Sequence, residues 1–169
     1  MAGPRRSREP KQALGCHDRA LLLLAVRGRS RHELSTRLVR AGFDDAEVEA
    51  EMVRLESVGL VDDGAFARDL AQHHLIVRRS GRRAVVSALL AKGVSRSTIE
   101  RTLADLEGDA GDETERAADL ASERARRLSA LAPEVAFGRL VSFLMRRGYD
   151  AATARAAARA ALRIETPDT

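Results

Sequence analysis

The hydrophobic pattern along this chain repeats itself. Apolar residues recur at helical spacing in short blocks, and the block running from Leu34 to Leu55 is written three times. Leu38, Gly42, Phe43 and Asp44 are matched 51 residues later by Leu89, Gly93, Val94 and Ser95. A further 55 residues on come Leu144, Gly148, Tyr149 and Asp150. The apolar skeleton keeps the same offsets through Leu34, Val85 and Leu140; Val48, Ile99 and Ala154; Met52, Leu103 and Ala158; and Leu55, Leu106 and Ala161. Self-similarity at this period predicts stacked helical units that share a core. No alternating pattern of useful length predicts a strand. The expected fold is all-α, a tandem array of three three-helix repeats.

The turn chemistry explains why these residue types recur. Gly42, Gly93 and Gly148 stand where one helix ends in a left-handed residue, a conformation that costs other residues about 1 kcal/mol or more. The apolar residue after each glycine (Phe43, Val94, Tyr149) can pack back on Leu38, Leu89 or Leu144, as helix ends of the Schellman type favour. Asp44, Ser95 and Asp150 then offer a side-chain oxygen as N-cap of the next helix. With these caps, Phe43 and Val48 take the two hydrophobic-staple positions, as do Val94 and Ile99. These six turn residues are read as structural.

Taken in order, residues 1–16 read as a disordered basic tail. Residues 17–60 form repeat 1, with a first helix from Asp18 to Arg27 that is nearly all apolar from Ala20 to Val26 and therefore expected to be buried. Ser30 to Glu33 is a capping box opening the second helix, and Asp45 to Ser57 is the third. Repeat 2 spans residues 61–107: a helix capped by Asp62 or Asp63 and running to about Val77, a second from Arg82 to Lys92, and a third from Ser95 to Leu106. Residues 108–112 read as a linker, with Gly108 and Gly111. Repeat 3 spans residues 113–164, with helices from Glu113 to Leu128, from Pro133 to Arg147 and from Ala151 to about Arg163. The last is so rich in alanine that it should form readily and pack thinly. Residues 165–169 are expected to be disordered.

Composition narrows the class. A chain of 169 residues with 44% hydrophobic content can bury several modest cores. Cys16 is the one cysteine, so no internal disulfide forms, as in a reducing compartment. The apolar run Leu21 to Val26 is too short to cross a membrane, and no secretory signal core is evident. A cytoplasmic, monomeric protein without membrane contact is expected.

Charge comes in alternating blocks. Residues 1–41 carry 10 basic and 3 acidic side chains, and residues 42–73 carry 2 and 9. Residues 74–104 carry 7 and 1, residues 105–125 carry 2 and 8, and residues 126–169 carry 8 and 4. The basic blocks hold the second helix of each repeat, so stacking would align them. The predicted result is a discontinuous basic ridge of Arg27, Arg29, Arg31, Arg37, Arg40, Arg78, Arg79, Arg82, Arg83, Lys92, Arg146 and Arg147. Such a ridge suits a long polyanion or an acidic groove on a partner. The bland alternative is a set of solvated helix faces paired with acidic neighbours.

Candidate catalytic chemistry is thin. Cys16 and His17 lie beside the tail without a third group. His73 and His74 are adjacent, so on a helix they diverge by about 100° and cannot chelate one metal together. No phosphate loop ending in Lys-Ser or Lys-Thr occurs. Aromatics make up 3% of residues, which excludes a base-stacking platform. The expectation is a binding protein with no catalytic residues, metal or cofactor.

Ser30-Arg31-His32-Glu33-Leu34, the stretch Gly59 to Ala67, Arg78 through Gly93-Val94, and Phe143 through Asp150 together resemble the RecX family of bacterial RecA regulators. The likeness covers about residues 18 to 163. It implies an elongated array of three three-helix repeats and a cytoplasmic protein that binds RecA and the RecA filament on single-stranded DNA. It also implies restraint of ATP hydrolysis, strand exchange and coprotease activity; the modest net charge of +4 separately allows a weak, salt-sensitive direct DNA binding. One departure is Ala88-Leu89 where many relatives carry Glu-Leu, which removes a salt bridge but no core contact. Two readings of other classes remain beside this one. The first is a sequence-tolerant DNA-binding protein of helix-turn-helix-like units, since residues 30–60 resemble the helical part of a winged helix. Acidic blocks between the basic ones count against it. The second is an inert helical adaptor.

Overall fold

The computed structural model describes residues 14–106 and 112–164. The expected tail of residues 1–16 and the linker of residues 108–112 fall largely outside these, and residues 165–169 wholly so. Among the described residues there are nine α-helices and no strand. They are α1 (Cys16–Val26), α2 (Arg31–Arg40), α3 (Asp45–Ser57), α4 (Asp63–Gln72), α5 (Arg82–Leu90), α6 (Arg96–Leu106), α7 (Glu113–Arg126), α8 (Pro133–Arg146) and α9 (Ala151–Leu162). The chain divides into two compact units, one ending at Val61 and one beginning at Asp62.

The repeated positions form the cores. Leu34, Val85 and Leu140 are fully buried, as are Leu38, Leu89 and Leu144. Truncating such a leucine to alanine costs about 2–5 kcal/mol. Val48, Ile99 and Ala154 are buried alike, while Ala161 is half-buried where Leu55 and Leu106 are buried. At each turn glycine takes a positive φ: 98° at Gly42, 74° at Gly93 and 91° at Gly148. The two Schellman bonds are present in all three copies, from the Phe43, Val94 and Tyr149 N–H groups to the carbonyls of Leu38, Leu89 and Leu144, and from each glycine N–H to the residue three before it. Asp44 accepts from the Ala46 N–H, Ser95 from Thr98, and Asp150 from Ala152 and Thr153.

In the first unit α1 departs from expectation. It begins at Cys16, which is buried in the core rather than part of a tail. Nor is the helix buried all round. Cys16 and Ala20, with Leu23 and Leu24 beside them, face the core of α2 and α3. Leu22 and Val26 remain 51% and 78% exposed. A three-helix repeat has only one inner face to offer each helix, so the apolar residues on the opposite side of α1 stay at the surface.

In the second unit α4 to α6 surround one core and α7 to α9 another. The helix expected to reach Val77 is α-helical to Gln72 and closes with a π turn over His73–Val77, after which Arg79 takes a φ of 51°. The extra residue of the π turn sends Leu75 into the core and leaves Ile76 and Val77 exposed. The alanine-rich α9 does not pack thinly. Ala154, Ala157 and Ala158 are buried together with Ala117, Ala121 and Ala125 of α7, and this is the most extensive helix–helix contact in the structure. Small side chains let the two backbones approach closely, so alanine supplies contact through proximity instead of bulk.

The two cores of this unit are tied by a joint between helix ends. The carbonyls of Arg147 and Gly148, at the end of α8, accept from the N–H groups of Gly81 (2.9 Å) and Arg83 (3.1 Å), at the start of α5. The Glu113 carboxylate of α7 accepts from the Arg82 N–H at 2.8 Å. The orphan donors of one helix thus meet the orphan acceptors of another, with their dipoles complementary. A Cβ on Gly81 would lie 2.5 Å from the Gly148 and Tyr149 backbone, so only glycine permits the approach.

Candidate partner-binding surface

In the first unit the ridge arginines are largely engaged within the repeat. Arg27, Arg29 and Arg37 converge on Glu33. Arg29 is 93% buried by exposure, with 7% of its surface open, and its Nε donates to the Leu23 carbonyl at 3.1 Å. Burial, then the neighbouring Arg27 and Arg37, hold its pKa below the usual guanidinium value. It clamps the end of α1 to α2 and does not face a partner. Arg31 reaches Glu49 at 2.6 Å and Glu56 at 2.8 Å on α3. The hydrogen bond it donates to Glu49 raises its pKa above the ordinary value. Arg40 is exposed at the end of α2. The counter-charges come from Glu33 within α2 for Arg27, Arg29 and Arg37, and from the acidic block that follows for Arg31, as the bland reading has it for these four residues.

The second unit gathers its arginines. The joint brings residues 78–83 against residues 147–149: Arg147 donates to the Arg78 carbonyl at 2.6 Å, and the Tyr149 hydroxyl donates to the Arg79 carbonyl at 3.0 Å. Arg79 pairs with Glu123 at 2.9 Å. Arg82 and Arg83 are exposed on the first turn of α5 and line a groove of about 400 Å³ with Arg96 of α6, floored by Val86 and Leu90. Arg146 is exposed and lines a second groove, of about 490 Å³, with Arg124 and Arg139. Lys92 is half-buried in the turn after α5. Arg96, Arg124 and Arg139 are absent from the ridge read from the sequence. Their signal is faint: Arg96 is the first residue of a helix, and Arg139 stands seven residues before Arg146, on the same helical face.

The titratable pairs near the chain start and in the π turn are structural. Burial, then Glu47 and Glu51, push the Cys16 thiol above its ordinary pKa, which keeps it protonated and unreactive. His17 instead shares a 2.7 Å contact with Glu51, tying α1 to α3. The His73 and His74 rings meet edge-on, and burial, then Arg78 and His73, lower the His74 pKa. Among the described residues no group of three or more His, Cys, Asp or Glu gathers as a metal site would require, and no helix is long and apolar enough to cross a membrane.

Three-helix groups repeated along the chain, with arginines lining two grooves of the second unit, define an all-helical repeat protein. Two family models match the chain in series: the first three-helix domain of RecX over residues 16–55 and the second over residues 62–103. The regulatory protein RecX of Mycobacterium sp. (strain JLS) is 37% identical over 153 residues, covering 88% of this chain and 82% of that protein. That of Mycobacterium ulcerans (strain Agy99) is 37% identical over 147 residues, covering 86% and 84%. The crystal structure of RecX from Lactobacillus salivarius has the same fold, with a TM-score of 0.76 at 17% identity over 88% of this chain and 96% of that one. The chain belongs to the RecX family of regulatory proteins, which are not enzymes. Membership implies regulation of RecA, and RecA as the partner.

Proposed function

We propose that this protein binds RecA and its filament on single-stranded DNA through the arginines of its second unit, and so restrains ATP hydrolysis, strand exchange and coprotease activity. The observation that carries the reading is the joint between α8 and α5. Through it the segment carrying Arg78, Arg82 and Arg83 meets Arg147 at the end of α8, so arginines from two distant stretches of sequence stand on one compact unit. Exposed ion pairs contribute only about 0–1 kcal/mol each, so no single contact holds the partner. Several contacts fixed on one body act together, and repeats that reach neighbouring RecA subunits gain further through effective concentration. Bridging subunits in this way resists the movements that accompany nucleotide turnover. The protein acts in the cytoplasm as a monomer, with repeats bounded at residues 17–60, 61–107 and 113–164. Arg82, Arg83 and Arg96 add a weak direct affinity for DNA, with a log–log salt slope of about −2 on single strands for three phosphate contacts.

The test is binding near physiological salt to naked single-stranded DNA, naked duplex and a RecA filament on single-stranded DNA, with ATP turnover followed in parallel. Preference for the filament and slowed turnover below one chain per RecA are expected. Equal affinity for naked DNA and filament would instead support a DNA-binding protein of helix-turn-helix-like units.

A further inference from the structure

The groove of about 490 Å³ on the third repeat has a composition that neither packing nor the α8–α5 joint requires. It runs between the end of α7 and the outer face of α8. Arg124, Arg139 and Arg146 line it with a single carboxylate, Glu134, and Leu128, Val135 and Phe143 give it apolar walls. None of these three arginines is in an ion pair among the described residues. Arg124 instead lies over the Phe143 ring, 5.2 Å from its centre.

Gly138 is the second observation. It sits in the interior of α8, where glycine is the least favourable residue after proline. A Cβ built there meets nothing within 4 Å, so no neighbour demands its absence. Gly138 lines the groove. Its lack of a side chain weakens the helix and leaves that part of the groove open, which points to an occupant.

We infer that this groove docks an acidic peptide segment, one carrying an apolar side chain among its carboxylates, presented by a protein partner. A net positive rim selects an anion, and apolar walls select one with a hydrophobic anchor. A nucleic acid fits less well. The Phe143 ring is already engaged by Arg124 and, at 5.5 Å, by Arg147, so it offers a base no free stacking face. Arg139 and Arg146 are seven residues apart on α8, about 10 Å along its axis. A peptide in the polyproline II conformation rises about 3.1 Å per residue with three residues per turn, so carboxylates three residues apart lie on one side about 9 Å apart and meet both guanidinium groups. The groove is a peptide site in its own right; that the peptide belongs to RecA rests on the reading given above.

The probe is a short fluorescent peptide of Glu and Leu with carboxylates three residues apart, measured by anisotropy against an oligonucleotide of equal charge. The wild-type chain is expected to bind the peptide in preference. Arg139→Glu with Arg146→Glu should weaken it about tenfold or more. Gly138→Leu should fill the groove and cause a comparable loss while melting no lower than the parent, since leucine is the better helix former. Binding lost as the fold grows firmer cannot come from unfolding. No peptide binding, binding that survives both variants, or an oligonucleotide that binds better and is lost with the same variants would each overturn the proposal. Filament binding separates the two readings. Variants that lose the peptide yet hold the filament as the parent does would leave RecA binding standing and remove the peptide's assignment to RecA. A chain that binds the peptide but no filament would keep the groove and remove RecA as its partner.

Discussion

Helices α2 and α5 occupy equivalent places in repeats 1 and 2, yet their first turns are satisfied in opposite ways. Ser30 precedes α2, is fully buried, and accepts from the Glu33 N–H at 3.1 Å, so the helix carries its own cap. The position 51 residues later is Gly81, which has no side chain to offer. There the α5 N–H groups are taken by Glu113 and by the carbonyls that end α8. A local cap has been exchanged for a tertiary one. The exchange makes repeat 2 depend on repeat 3, which explains why these two form one compact unit and repeat 1 another.

The largest effect is expected at the joint itself. Gly81→Val would force a side chain into the Gly148 and Tyr149 backbone and should destabilise the second unit by about 3 kcal/mol. Hydrogen exchange should then quicken across α4 to α9 while α1 to α3 keep their protection. Ser30→Ala is the converse experiment. Loss of the cap should cost about 1 kcal/mol and should show in the exchange of α2 without reaching α5. Tyr149→Phe removes the hydroxyl that donates to the Arg79 carbonyl, and a fall of about 1 kcal/mol by denaturant unfolding should be confined to the second unit. The smallest effect is one of pH. Burial, Arg78 and His73 hold the His74 pKa below its ordinary 6.5. As pH falls through 6.5, the unfolded chain therefore takes a proton that the folded chain refuses, and the stability of the second unit declines. At neutral pH and above neither state binds the proton, so the full contribution is present. His74→Gln should flatten this dependence below pH 6.5 in thermal melts, leaving any acid sensitivity of the first unit unchanged.

The helical repeats were legible because their signals are local. Three glycines with an apolar residue and a capping oxygen behind them state where helices end and begin, and Leu38, Leu89 and Leu144 state which face is buried. Exposure of α1 was not legible, since Leu21 to Val26 reads the same whether one side or both are covered. Only the number of neighbouring helices decides. The alanines of α9 misled for the same reason, as a small residue signals weak packing until its partner proves equally small. Of the candidate surface, the charge blocks gave the residue types but not their fates. Arg29 looks like Arg83 in sequence, and differs in where folding leaves it, Arg29 buried against α1 and Arg83 at the surface. Arg96, Arg124 and Arg139 stand singly, outside the runs that drew attention to the ridge.

The most direct measurement is the affinity for a RecA filament on single-stranded DNA after Arg82, Arg83 and Arg96 are replaced together by alanine. These side chains lie at the surface, so the melting temperature should hold while affinity falls about tenfold or more and RecA ATP turnover recovers. An intact fold that still binds the filament and slows turnover as the parent does would show that this basic surface is not where the partner is held.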